Sequence, residues 1–321
     1  MRFRPQALVL TLLLACASPP EIESRYQPSA NALEIVAVLN RHVPDDTYRF
    51  EPARDFTGRN VYRSSLLRLE NLERAEPESL QAGHLQGVIA FSKARALERI
   101  RAFELAARQY RIAARREPVL AAEALRSADL CDSLVALGDG TVVLRHEAET
   151  EAEQGTAPIE VVPPEQALVV FEARSASLES LLRSSEGTHH IAVVREEIER
   201  NDMERARYFL QLRELLPQGD VRAIGELQRV TLRHPQSKNA SRHLLSLADL
   251  YANLSIEYVA RHPPESLGFD PVEFRDFVDS GARIYEMVAS RDGTPEKLEA
   301  SRRLEAFLAF SLAVDRDRFT P

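Results

Sequence analysis

The sequence has 321 residues, enough for one or two domains, and its 28% charged and 44% hydrophobic residues are the balance of a globular protein. It contains only 12 glycines and no tryptophan, which favours helices. The formal net charge is −8, and it becomes −10 once Arg2 and Arg4 are removed. This acidic balance argues against a nucleic-acid-binding protein, because that class presents a basic surface.

The first twenty residues have the organisation of an export signal. Arg2 and Arg4 precede an apolar run from Ala7 to Ala15, and Cys16 follows. A run of about nine residues is too short for a transmembrane helix, which needs roughly 20. Basic residues before a short apolar segment, with a small residue at the cleavage point, are typical of a signal peptide. The same residues also fit an ordinary secretory peptide in which Cys16 has no role, or a cytosolic protein.

Leu13-Leu14-Ala15-Cys16 resembles the lipobox of bacterial lipoproteins. The resemblance implies cleavage between Ala15 and Cys16, with diacylglycerol on the Cys16 thiol and fatty acids such as palmitate as the membrane anchor. No aspartate follows Cys16, which in that family implies the outer membrane. We therefore expect residues 1–15 to be a lipoprotein signal peptide and residues 16–30 a flexible tether. The chain would then be anchored at the periplasmic face of the outer membrane.

The second cysteine is Cys131, which has no partner for an internal disulfide if Cys16 is acylated. It lies in the apolar pattern Leu130-Cys131-x-x-Leu134, and free cysteines of this kind are commonly buried as small hydrophobic side chains. No basic residue that could activate the thiol is its near neighbour in sequence. We therefore predict a buried, unreactive Cys131.

Residues 31–145 are predicted to form an N-terminal helical region. A short helix over 31–41 ends before Pro44, since proline disfavours helical geometry in the residue before it. A second helix covers 61–74. The pattern is clearest between His84 and Pro118, where two helices are joined by a tight turn near Arg99. Apolar residues recur there at helical spacing: Ala90, Ala94 and Leu97 in the first helix, and Phe103, Ala106, Tyr110 and Ala113 in the second.

This helix pair resembles a tetratricopeptide repeat (TPR). The repeat-packing positions of that family fall on Ala90, Ala94, Leu97, Ala106, Tyr110 and Ala113, and its closing proline falls on Pro118. One family period of 34 residues further on, Ala124, Ala128 and Cys131 occupy the positions of Ala90, Ala94 and Leu97, which predicts a helix over 119–137. The turn at 138–141 then interrupts the second repeat. A generic helical hairpin that uses alanine for its helix propensity is the alternative.

A linker is predicted over residues 146–164. The segment alternates glutamates between Glu147 and Glu153 and ends in Pro163-Pro164, a composition typical of linkers and long loops. Its acids are interpreted as a solvated loop. A calcium site would need a turn that converges oxygen ligands, usually with glycine at a fixed place.

Residues 165–321 are predicted to form a C-terminal helical region. Helices are expected over 165–184, from Ile191 with a break at Asn201-Asp202, over 221–258, over 271–289 and after Pro295. Asp220 is expected to cap the helix that follows it, and Pro271 to open a helix, where proline is favoured. The last helix is expected to carry a core stripe of Leu298, Leu304, Phe307, Leu308 and Leu312.

A second resemblance lies within this region. Pro235-x-Ser237-x-x-Ala240, followed by Leu247-Ala248-Asp249-Leu250-Tyr251, is similar to the repeat junctions of BamD-type outer-membrane lipoproteins. The likeness covers about 40 residues and implies TPR-like packing at Pro235, Ala240 and Tyr251.

Motifs of known catalytic chemistry are absent from the sequence. No phosphate-binding loop, Gly-x-Ser-x-Gly, His-Glu-x-x-His or paired Cys-x-x-Cys occurs. His189-His190 is interpreted as a turn or helix-start pair, because neighbours on a helix point about 100° apart and rarely share a metal. Arg108, Arg111 and Arg115 share one helix face, interpreted as solvated, with an acidic partner as the alternative. We expect no catalytic, cofactor or metal site.

The combined prediction is an all-α protein of antiparallel helix pairs, stacked as an irregular TPR-like solenoid. Stacked pairs expose an extended concave surface, because each pair contacts mainly its neighbours. The expected function is a protein–protein interaction scaffold at the outer membrane, which binds unidentified envelope proteins and no nucleic acid. The alternatives are a cell-envelope enzyme or regulator, for example one acting on peptidoglycan, and a carrier of a small ligand between helices.

Overall fold

The computed structural model describes residues 37, 61–75, 77–82, 85–138 and 162–318. Every regular element within these ranges is a helix, so the predicted all-α class is confirmed for this part of the chain. In chain order the helices are α1 (Val61–Ala75), α2 (Pro77–Ala82), α3 (Gln86–Arg99), α4 (Phe103–Arg116), α5 (Ala121–Ala136), α6 (Pro164–Ser184), α7 (His190–Gln211), α8 (Gly219–Arg233), α9 (Ala240–Arg261), α10 (Pro271–Ala289) and α11 (Glu296–Asp317).

Several predicted segments lie outside the described residues. These are the signal peptide, the tether, the helix over 31–41 apart from the helical Ala37, and the linker up to residue 161. Pro164, predicted as the last linker residue, is the first residue of α6. The remaining predicted helices agree with the observed bounds to within a few residues, apart from the corrections below.

Each helix packs mainly against its neighbour in sequence. This holds for α3 on α4, α4 on α5, α6 on α7, α7 on α8, and so on through α11, while α1 packs on α3. The turn between α3 and α4 is short because Arg101 takes a left-handed backbone conformation, with φ of 64°. A non-glycine residue pays a modest cost for that conformation. Its guanidinium contacts α7, as described below.

The core of the N-terminal part combines many alanines with a buried tyrosine and larger aliphatic side chains. Ala94, Ala106 and Ala113 are fully buried, and so is Tyr110, whose ring meets Phe91 edge-on at a centroid distance of 5.3 Å. Small side chains let the helices approach closely, and the ring fills the space that remains. The same cluster includes Leu178, Val193, Val194 and Ile198 from α6 and α7. Residues on both sides of the predicted linker therefore share one core.

Helix α7 continues without interruption where a break was predicted. Asn201 and Asp202 lie inside it and are buried. The Asn201 side-chain amide donates a hydrogen bond to the Phe171 carbonyl at 3.1 Å. The prediction was wrong because these side chains bond to neighbouring helices instead of competing with their own backbone.

The start of α8 also differs from the prediction. Asp220 does not cap the helix, since Gln218 is the N-cap residue and makes no side-chain cap bond. Asp220 lies in the first turn and accepts a hydrogen bond from Arg213 at 2.8 Å. Gly219 lies so close to the backbone of Arg213 that a β-carbon on residue 219 would stand 1.8 Å from the Arg213 carbonyl oxygen. Helix α8 therefore begins at a close backbone contact that requires glycine, and not at a side-chain cap.

Helices α10 and α11 close the C-terminal end. The opening of α10 is as predicted: Pro271 is the first residue, and the Asp270 carboxylate accepts a hydrogen bond from the Val272 amide at 2.8 Å. The predicted core stripe of α11 is wrong in part. Phe307 is buried as predicted and Leu304 is half-buried against the same core, but Leu298, Leu308 and Leu312 are exposed. The helix buries Ala300 and Val314 in addition.

No helix among the described residues combines the length and the apolar character needed to cross a bilayer.

Candidate functional site

Helix α7 carries a row of four acidic residues near the middle of the protein. Glu196, Glu197, Glu199 and Asp202 form this acid row, and all but Glu196 are buried. Buried carboxylates are costly unless basic or polar groups bond to them. The surroundings of α7 supply such groups from both directions along the chain.

The first half of the acid row binds residues that precede and follow the predicted linker. Arg101 donates two hydrogen bonds to Glu197, at 2.6 and 2.9 Å, and Arg174 reaches the same carboxylate at 3.2 Å. Glu196 accepts a hydrogen bond from Arg99 at 2.8 Å and another from Lys238. Glu196 therefore links α3 to the loop between α8 and α9.

The second half of the acid row binds the α8–α9 junction. Glu199 accepts hydrogen bonds from His243 and Ser237, both at 2.5 Å. Burial raises the pKa of Glu199, but these bonds outweigh it and the pKa is lowered. Asp202 lies 2.8 Å from His234 Nε2, and Arg229 donates to it at 2.8 Å.

Asp202 shows the same balance as Glu199. Burial raises its pKa, whereas the hydrogen bonds from His234 and Arg229 lower it below the usual value. Ser237, which belongs to the second resemblance, and the nearby His234 and His243 thus help to hold the Glu199 and Asp202 carboxylates in their charged form.

A separate buried polar cluster lies where α3, α4, α5 and the start of α7 meet. Its centre is Glu98, whose side chain has no solvent exposure. Tyr110 donates a hydrogen bond to Glu98 Oε2 at 2.9 Å, and the Cys131 sulfur lies 4.0 Å from the same oxygen. Burial raises the pKa of Glu98 to about 7, against the lowering effects of the Tyr110 hydrogen bond and of Arg95.

Two adjacent histidines complete this cluster. His189 is the N-cap residue of α7 and His190 its first helical residue, so the predicted helix-start position is confirmed. Their rings nevertheless lie close together, with centroids 3.9 Å apart. One ligand atom from each of Glu98, His189 and His190 can be chosen so that all three atoms lie within 4.8 Å of one another. The expectation that the neighbouring rings diverge was wrong.

Both histidines are held in the neutral form. Burial lowers the pKa of His189 to about 2, assisted by Arg95, His190 and Arg99. Burial also lowers the pKa of His190 to about 4, although the nearby Glu123 acts in the opposite direction. Neutral imidazoles have one nitrogen lone pair available for a proton donor or a metal ion.

Cys131 is buried as predicted. Burial raises the pKa of its thiol well above the usual value, and the Glu98 carboxylate adds to this effect. The thiolate, which is the reactive form of cysteine, is therefore disfavoured at this position.

A groove of about 600 Å³ opens between α6, the end of α7 and the start of α8. Its apolar lining includes Leu168, Phe209, Leu216 and Val221. Charged side chains border it, and one of them, Arg222, lies over the Phe209 ring with 4.4 Å between its guanidinium carbon and the centroid. The groove combines apolar and charged contacts at the surface.

The residues predicted to pack the first repeat come together in one core. Their side chains are buried: Ala90, Ala94, Leu97, Ala106, Tyr110 and Ala113. Ala124, Ala128 and Cys131, one period further on, are buried in the same cluster. Pro118 is exposed in the turn between α4 and α5.

The second predicted set is more dispersed. Ala240 is buried at the start of α9, Pro235 is exposed in the junction, and the Tyr251 hydroxyl accepts a hydrogen bond from Gln228 at 3.1 Å. The predicted lipidation and cleavage residues, Cys16 and Ala15, lie outside the described part of the chain.

The arginine face of α4 is partly engaged within the protein. Arg108 pairs with Glu104 on the same helix, and both side chains are largely exposed, while Arg111 pairs with Asp132 of α5. Arg115 is exposed. Surface pairs of this kind contribute little to stability.

Sequence reasoning missed Glu98, which is one of many glutamates in the sequence. Its position four residues after Ala94, on the buried face of α3, was a usable signal. The convergence of residues 98 and 189 depends on the tertiary structure alone.

No protein-family model matches the chain, and no curated protein matches it significantly.

Proposed function

We propose that this protein is a lipid-anchored scaffold of the bacterial outer membrane, which binds other envelope proteins from the periplasmic side through TPR-like stacked, antiparallel helix pairs. The observation that supports it is the sequential packing of α3 through α5 and of α8 through α11, each helix on its neighbour. Helices arranged in this way expose an extended surface for binding another chain.

The groove between α6 and α8 is the surface that we assign to a partner. Its apolar lining beside charged side chains matches a partner segment with apolar anchors and polar flanks. Val221 is 69% exposed at the groove, so a change there alters the surface without disturbing the core.

The role as a scaffold is favoured over that of an envelope enzyme or regulator. An enzyme that uses two carboxylates would need them to converge in an open cleft. The carboxylates of the acid row are instead bonded to arginine, lysine and histidine side chains. Their arrangement serves the packing of α7.

The membrane anchor is tested by fractionation. Wild-type protein should sediment with outer membranes and be labelled by a palmitate analogue, whereas Cys16→Ser should lose the label and be released from the membrane. A Cys131→Ser variant is the control and should remain anchored. Label-free wild-type protein in the cytosol would refute the anchor.

The binding surface is tested by in vivo cross-linking with a matched pair of variants. Val221→Glu should lose a specific cross-linked partner, whereas Val119→Glu should retain it, because Val119 is 87% exposed in the α4–α5 turn and away from the groove. An identical cross-linking pattern for both variants would refute the assignment of the groove.

A further inference from the structure

Glu98 Oε1 and His189 Nε2, at the centre of the Glu98 cluster, are buried and lack a hydrogen-bond partner among the described residues, as does Nε of the nearby Arg95. Glu98 Oε1 and His189 Nε2 face each other at 3.9 Å. The separation is too long for a hydrogen bond. Leaving such atoms unpartnered in the interior is costly, so an unexplained pair of this kind indicates a missing group.

The separation suits an ion that bridges the two atoms. Metal bonds to imidazole nitrogen and carboxylate oxygen are about 2.0–2.2 Å long, so two ligand atoms of a tetrahedral ion lie about 3.3–3.6 Å apart. His190, whose Nε2 lies 2.9 Å from the Ser127 hydroxyl oxygen, supplies a third ligand atom within 4.8 Å of the others. The three side chains would have to move inward to reach bonding distance.

Neighbouring side chains orient these groups in the manner of the outer shell of a metal site. Tyr110 donates to Glu98 Oε2 and leaves Oε1 free. Glu123 Oε1 lies 3.2 Å from His189 Nδ1, where it can accept the proton of that nitrogen and direct the Nε2 lone pair toward Glu98. Carboxylate–histidine pairs of this kind commonly support metal ligands.

Two arginines lie near the cluster and oppose a bound cation. Arg95 Nη2 is 3.2 Å from His189 Nδ1, and Arg99 is paired with Glu196. Glu196 neutralises Arg99, and the carboxylates of Glu98 and Glu123 offset the charge of Arg95 and part of the charge of the ion. Arg95 must yield its place at Nδ1 when that nitrogen donates to Glu123, since one nitrogen cannot accept and donate at once.

The ligand types select the class of metal. Two imidazoles and one carboxylate suit zinc and its first-row neighbours, whereas calcium and magnesium prefer oxygen ligands.

We propose that Glu98, His189 and His190 bind one divalent first-row transition metal ion, such as Zn²⁺, which fastens the end of α3 to the start of α7. The ion has a structural role, because Glu98 and His190 are buried, His189 is half-buried, and these ligands come from two segments on opposite sides of the predicted linker. This inference is independent of the proposed scaffold function.

The test is titration of the metal-stripped full chain with Zn²⁺ by calorimetry, and with Co²⁺ by visible absorption. One ion should bind per chain, and Ca²⁺ or Mg²⁺ in excess should not displace it. His189→Asn and Glu98→Gln should each weaken the affinity by at least about tenfold. Glu123→Gln should weaken the Zn²⁺ affinity by about 10–100-fold. Because position 123 is partly exposed, this variant still tests the site if a variant at a buried position fails to fold.

A control variant separates this site from adventitious binding. His262→Asn removes an exposed histidine outside the cluster. It should bind Zn²⁺ with unchanged affinity. Absence of binding at one equivalent, or binding that survives His189→Asn, Glu98→Gln and Glu123→Gln alike, would overturn the proposal.

Discussion

Replacement of Glu98 by glutamine should change the pH dependence of stability. Burial raises the pKa of Glu98 to about 7 in the folded protein, whereas its ordinary value is 4.5. Between these pH values the folded state holds a proton that the unfolded chain has lost. Stability therefore falls as the pH rises through this window, and the Glu98 contribution is constant above it.

The size of this effect follows from the pKa difference. Each unit corresponds to about 1.4 kcal/mol, so the wild-type protein should lose about 3 kcal/mol relative to Glu98→Gln between pH 4.5 and pH 8. His189 and His190 act in the opposite direction, because their pKa values are lowered and their contribution is lost as the pH falls. His189 lies 3.9 Å from Glu98, so its contribution is not identical in the two proteins, and the test rests on the window between pH 6.5 and pH 7.5, above the ordinary histidine pKa of 6.5.

The assay is urea unfolding followed by far-ultraviolet circular dichroism in metal-free buffer at several pH values. The difference in the free energy of unfolding, wild type minus Glu98→Gln, should decline from about pH 4.5 and level off near pH 7, the pKa of Glu98 in the folded protein. Tyr110→Phe should raise the pH at which the difference levels off, because the Tyr110 hydrogen bond lowers the pKa of Glu98. A difference that is independent of pH, or that grows in favour of the wild type as the pH rises, would refute the reasoning.

Three further predictions concern stability and reactivity. Glu197→Ala should cost about 3–5 kcal/mol in urea unfolding, because it leaves buried guanidinium charge without its partner, whereas Glu104→Ala at an exposed pair should cost less than about 1 kcal/mol. Gly219→Ala should destabilise the protein by at least about 1–3 kcal/mol, because the added methyl group would clash with a backbone carbonyl. Gly225→Ala, where α8 leaves open space for the methyl group, should instead stabilise the protein by about 0.5–1 kcal/mol. Equal urea unfolding midpoints for the two variants would contradict this prediction. Cys131 should react with a thiol reagent only after unfolding, as read by mass spectrometry, since burial raises its pKa; rapid native labelling would disprove this.

The N-terminal core was largely predictable because its pattern is local. Ala90, Ala94 and Ala106 recur at helical spacing, and the structure buries all three. Helix spacing and alanine content are properties of a short stretch of chain, so they can be read without knowing what the helix packs against.

The polar interior was not predictable from the same patterns. Asn201 and Asp202 were interpreted as a helix break, but in the structure they are buried within α7. Their hydrogen-bond partners lie far away in the sequence: the Phe171 carbonyl is 30 residues from Asn201, and His234 is 32 residues from Asp202. Helix propensity describes each residue alone, and these distant partners stabilise both residues inside a helix.

The sequence by itself determined the helical class, most helix boundaries and the buried face of α3 and α4, because each depends on interactions within a few residues. The tertiary structure decided which buried carboxylates have basic partners and which carboxylate oxygen has no hydrogen-bond partner among the described residues. It set the acid row of α7 against arginines and histidines, and left Glu98 Oε1 facing His189 Nε2. These outcomes depend on the meeting of segments far apart in the chain, and no local periodicity encodes that meeting.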